Sequence, residues 1–171
     1  SFPVWYVALE APNYPKAAFP EGIPVWFHVD GFSGDIHEMN TINHYVGMYP
    51  LEDGAKIERA LGPFLMLGIS LLMILFICIR KKWSWIFMLP SALFPLGFFA
   101  FYSGWMYWFG HNMQEWGAFK IKAFMPTALG VGHVAHFTTK SFPSIGFWVL
   151  VIIAVLSVLA LLARRNELKK Q

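Results

Sequence analysis

One cysteine, Cys78, occurs in 171 residues, so the chain forms no internal disulfide and builds no cysteine cage for zinc or an iron–sulfur cluster. Any metal is left to His, Met, carboxylate or backbone. Charge is scarce as well: Asp, Glu, Lys and Arg make up 13% of the chain, about half the usual share in soluble domains. With 57% hydrophobic residues and a mean hydropathy of +0.50, disorder is excluded and a water-soluble enzyme core is a poor fit. The net charge of +3 comes from basic residues at the ends of apolar runs rather than among exposed aromatics, so nucleic acid is not an expected partner. Glycines do not frame Ser33 or Ser141 as a nucleophile elbow requires.

Three runs are long enough to cross ~30 Å of hydrocarbon as helices. Leu61 to Ile79 has nineteen residues without a charge, and Trp83 to Phe109 has twenty-seven, with Pro90 and Pro95 predicting a kink or tilt. Ser144 to Ala163 is the third. None holds Asp, Glu, Lys, Arg or His, which argues against an intramembrane proton relay or ion path and against haem ligated between the spans by this chain alone. The flanks carry opposite charge. Residues 80–82 and 164–171 hold seven basic residues and one acid, Glu167, whereas residues 1–60 hold eight acids and three bases. By the retention of positive charge in the cytoplasm, the amino terminus faces outward. The expected organisation is an all-α integral membrane protein of a bacterial inner membrane with three transmembrane helices. It comprises a small periplasmic cap at 1–60, spans at 61–79, 84–109 and 144–163, a cytoplasmic turn at 80–83, a periplasmic loop at 110–143 and a cytoplasmic tail at 164–171. The lack of a leading methionine and basic flank suggests a removed signal peptide.

Prolines 3, 12, 15, 20 and 24 forbid a long helix early in the cap. Phe2-Pro3-Val4-Trp5-Tyr6-Val7 resembles Ile23-Pro24-Val25-Trp26-Phe27-His28; an internal repeat, two paired strands and coincidence all fit. Residues 35–48 read as mostly helix, with Ser33 or Asp35 as cap and Pro50 as stop, followed by a short helix over about 51–60. In the second outer segment, residues 119–124 suit an interfacial strand or an amphipathic helix, and Pro126, Gly130 and Gly132 argue for irregular backbone around a pocket.

All six histidines, His28, His37, His44, His111, His133 and His136, fall in these outer segments. On a continuous helix His37, Thr41, His44 and Met48 share one face, and His44 with Met48 one turn on can grip one ion. Imidazole with thioether favours copper, particularly Cu(I). The H-x-x-H pair His133 and His136, with His111 and Met113, forms a second candidate group. The plain alternative is that these side chains pack and hydrogen-bond at the membrane surface. Met66, Met73, Met88 and Met106 read as filler in apolar helices.

Residues 34–51, with the core Asn43-His44-Tyr45-Val46-Gly47-Met48 followed by Pro50-Leu51, resemble a segment of bacterial membrane proteins associated with accessory components of periplasmic copper enzymes such as nitrous-oxide reductase. The resemblance covers eighteen of 171 residues. It implies a copper-handling role for His44 and Met48, extending to His37. The expected function is therefore an accessory subunit or metal-delivery factor of a copper-dependent bacterial membrane complex, non-catalytic, partnered by larger membrane subunits and the lipid bilayer. The alternative is a purely structural subunit of a respiratory or monooxygenase complex, its eight tryptophans and seventeen phenylalanines supplying contact area. An enzyme acting through His111, His133 and His136 is the third reading.

Overall fold

The computed structural model describes residues 2–168 apart from 13–16, 18, 119 and 135. Pro15, Lys16, Phe119 and the basic pair Lys169 and Lys170 lie outside the described residues. In chain order the elements are β1 (Trp5–Glu10), β2 (Ile23–Phe27), β3 (Phe32–Gly34), α1 (Ile36–Tyr45), α2 (Lys56–Cys78), α3 (Leu89–His111), β4 (Gly130–Val134), β5 (Phe137–Pro143) and α4 (Ile145–Leu168). Short 3-10 turns at Leu51–Asp53 and Ser84–Met88 lead into α2 and α3.

The fold is mixed, not all-α. The five strands form one antiparallel sheet in the order β3-β2-β1-β5-β4, so the two outer segments build a single cap. The look-alike segments are indeed neighbours: Trp5 pairs with Phe27, Val7 with Val25 and Leu9 with Ile23. Alternation then turns Trp5, Val7, Leu9, Ile23 and Val25 to one buried face. The extended, proline-bounded amino terminus satisfies its backbone donors and acceptors in these pairings, with residues 137–143 supplying the second partner. Gly130 and Gly132, read as irregular backbone, sit in β4 opposite Ser141 and Thr139. A side chain on Gly132 would collide with the Thr127 hydroxyl, so glycine there admits a strand where the preceding segment crosses over it.

Three helical stretches are long and apolar enough to cross a membrane: Lys56–Cys78, Ser84–His111 and Ile145–Glu167. The short helix expected over 51–60 is instead a 3-10 turn followed by the start of α2. At 1.5 Å per residue, the 23 residues of α3 span about 35 Å, some 5 Å more than the hydrocarbon needs. That surplus is used. Tyr102, Met106 and Phe109, all buried, join the sheet's inner face and Met39, Ile42 and Leu51 in one core, so the last turns of α3 are the post on which the cap rests. Trp5 closes the seam, its ring 5.2 Å from both Tyr102 and Phe147.

At the opposite end of the helices, Arg164 of α4 reaches across to α2. The two N–H groups of its Nη1 are shared among the carbonyls of Phe76 and Ile79 and Ser84 Oγ, and the guanidinium lies 3.8 Å over the Phe76 ring. Those carbonyls belong to the last turn of α2, which has no further helical N–H to accept from. Midway, Ser91 and Ser157 hydroxyls meet at 2.8 Å and tie α3 to α4. Arg164→Ala leaves the α2 end unsatisfied at low dielectric. We expect the thermal midpoint of the purified chain to fall by roughly 5–10 °C, from ~2–3 kcal/mol of charge-assisted hydrogen bonding, while Arg165→Ala, an exposed neighbour, leaves it unchanged. Equal midpoints for the two variants would show that α2 does not depend on this contact.

Candidate functional site

The first expected metal group is not brought together. α1 stops at Tyr45, and the chain leaves it through Gly47 at φ 80°, with Gly47 N–H donating to the His44 carbonyl and Met48 N–H to that of Asn43. This is the Schellman arrangement, in which the residue after the glycine folds back on the helix. Met48 therefore turns into the core, 9% exposed, while His37 and His44 remain on the surface. His44 stacks at 6.3 Å on Trp116. A helix continuous through Met48 would have been needed to align the donors.

The second group fares similarly. His111 ends α3, stacked at 3.8 Å on Tyr107, with Nδ1 2.9 Å from the Tyr107 carbonyl. His133 lies on the sheet face away from the helices, 2.9 Å from Thr138 Oγ1, and His136 is exposed beyond it. His28 Nε2 meets Ser33 Oγ at 2.7 Å. Among the described residues no three or more His, Cys, Asp or Glu side chains gather closely enough to hold a metal ion.

What the structure does gather is thioether. A cavity of ≈ 90 Å³ between the sheet and the end of α3 is lined by Met39, Met48 and Met106 together with Asn43, Tyr102 and Thr139. Asn43 is 6% exposed and its Nδ2 has no hydrogen-bond partner among the described residues. A buried amide donor without an acceptor costs about 1–3 kcal/mol, and the cavity has room for a water or small ligand to supply one. Beside it stands a saturated node. Ser141 Oγ donates to the Ala128 carbonyl at 2.9 Å, accepts from Trp5 Nε1 at 2.8 Å and meets Tyr102 OH at 3.2 Å. With one donor and two lone pairs, a serine hydroxyl has no capacity left.

Electrostatics outside the spans is mild. The Lys140 ammonium is held protonated beyond its usual range, first by its hydrogen bond to Glu10, and burial followed by the Glu21 charge pushes the Tyr6 phenol up. A raised lysine value means that the contribution of the pair is complete below the ordinary lysine range and is lost only as pH rises through it. The Lys140 contribution thus stays constant through neutral pH.

Sequence reasoning passed over three of these residues. On the sequence Ser141 reads only as a serine without the glycines of a nucleophile elbow, Met106 as filler in an apolar helix, and Met39 as lying on a different helix face from His37, His44 and Met48. The one available signal was the alternating Thr138-Thr139-Lys140-Ser141-Phe142, which reads as a strand with Ser141 on the apolar side. No family model, curated protein or solved structure matches the chain.

Proposed function

We propose that the chain is a non-catalytic subunit of a larger integral-membrane assembly, held in a bacterial inner membrane with the cap on the periplasmic side. The basic residues at the opposite helix ends favour that orientation. One observation carries the reading. On the sheet face turned away from the helices, Trp26, Tyr6 and Phe142 stand in register across β2, β1 and β5, with Trp26 and Tyr6 rings 5.5 Å apart and Phe142 42% exposed. A row of aromatics on the solvent side of an extramembrane sheet marks a surface that another protein covers. A photoreactive residue at Phe142 should give a protein adduct in native membranes, and one at the exposed His37 should not. Only lipid adducts at Phe142 would reject the proposal.

A second reading keeps the copper role and moves it. The buried Met39, Met48 and Met106 around one cavity offer thioether donors suited to Cu(I), with the Asn43 side chain beside them. Methionine to leucine conserves volume. Met48→Leu with Met106→Leu should therefore weaken Cu(I) retention against a chelator at least tenfold while the fold persists. Unchanged retention would remove copper from this cavity.

A further inference from the structure

Between α2 and α3 lies an apolar crevice of ≈ 340 Å³, reaching from Arg59 near the cap to Leu65 and Phe94. It continues past Gly68 to Leu72 and Pro90. From Arg59 to Leu72 the rise along α2 is about 20 Å, slightly more than one leaflet of hydrocarbon, half of ~30 Å. Both ends are shut. Near the cap, Gly62 lies so close to the Val29 carbonyl that a Cβ there would sit 2.5 Å from it. At the other end the 3-10 turn Ser84–Met88 packs on α2. Along its side the crevice opens to the surroundings of the helices, so a flexible hydrocarbon chain can enter it laterally.

The mouth near the cap carries charge. Arg59 Nε donates to the Gly54 carbonyl at 3.1 Å and Nη2 to that of Glu52 at 2.6 Å, with the guanidinium 4.6 Å over Phe32. These bonds fix the head and use two of its five N–H groups. No carboxylate of the described residues pairs with it. Glu58 lines the same mouth. A fixed guanidinium with free donors at the end of an apolar slot matches a phosphate that carries a hydrocarbon chain. The adjacent carboxylate favours a headgroup that also bears an amine.

We propose that this crevice binds one phospholipid of the cap-side leaflet, of the phosphatidylethanolamine type, with an acyl chain between α2 and α3 and its phosphate on Arg59. The proposal is independent of the partner surface on the sheet. The test is native mass spectrometry of the full chain in neutral detergent, equilibrated with palmitoyl-oleoyl phosphatidylethanolamine, with the matching diacylglycerol, or with inorganic phosphate. Gly97 and Gly68 border the crevice, and a Cβ at either meets nothing within 4 Å, so a leucine there begins in open space and extends into the slot. One retained phospholipid is expected, reduced at least tenfold in both Gly97→Leu and Gly68→Leu, with Arg59→Gln abolishing the preference over diacylglycerol. The proposal is overturned if both leucine variants retain the lipid as the native chain does, if diacylglycerol binds equally well, if inorganic phosphate alone displaces the lipid, or if the chain extracted from native membranes carries a phosphate-free isoprenoid instead.

Discussion

Ser141→Ala should lower the stability of the purified chain by about 3 kcal/mol or more, one of the two largest effects expected of any single substitution here. The alanine itself is small and apolar; the damage is in what it leaves behind. The Trp5 indole N–H, the Tyr102 hydroxyl and the Ala128 carbonyl all converge on one oxygen, and that oxygen is fully buried. Removing it orphans three groups belonging to β1, α3 and the segment before β4 at the junction of cap and bundle. Ser70→Ala is the control, because Ser70 is exposed and only back-bonds to the Met66 carbonyl of its own helix. Thermal melts of the two variants in the same detergent decide the matter. A Ser141→Ala midpoint equal to that of Ser70→Ala would mean that the node contributes nothing.

Gly110→Ala is the second. A Cβ at Gly110 would stand 1.7 Å from the Phe124 carbonyl oxygen and 2.9 Å from Pro126 Cδ. The obstructing atom is backbone, tied in turn by the Phe124 N–H to the Gly110 carbonyl at 3.2 Å, so it has no rotamer to retreat into. Overpacking of this kind costs about 1–3 kcal/mol and occasionally more, and here the segment over 120–128 must lift away from α3. Two measurements register this: a lower thermal midpoint, and faster protease cleavage between Lys120 and Thr127. Gly104→Ala, on the same helix with nothing within 4 Å of its Cβ, should be neutral or stabilising by up to ~1 kcal/mol. Equal protease sensitivity of the two variants would refute the clash.

How much of this was legible in the sequence follows from the range of each interaction. Helices long and apolar enough to cross a membrane depend only on local length and apolarity, and the three of them lie within a few residues of the apolar runs. α1 was legible from its pattern, but its end was set by Gly47, whose left-handed backbone sent Met48 inward and broke the expected alignment with His44. β1 and β2 betrayed themselves as twins, although resemblance alone did not distinguish a pair from a repeat. β4 and β5 were missed because their partner lies far back in the chain: Trp5 and Ser141 are 136 residues apart. The second outer segment, too short to fold alone, gave no local hint that an open strand edge was waiting for it. Separation along the chain also hid the crevice, since Arg59 reads as one of three bases among eight acids until α2 and α3 are set side by side.

The position of β1 in the centre of the sheet also sets a timetable. During synthesis the amino-terminal strands emerge first, yet one edge of β1 stays open until residues 137–143 have been made and carried to the same side of the bilayer. At ~5–20 residues per second, the ribosome needs on the order of 7–27 s to cover that interval. Through it, an aromatic-rich hairpin stands with an unpaired edge, open to mispairing with other nascent chains. Shielding of that hairpin until translation passes the last strand should therefore raise the yield of folded chain.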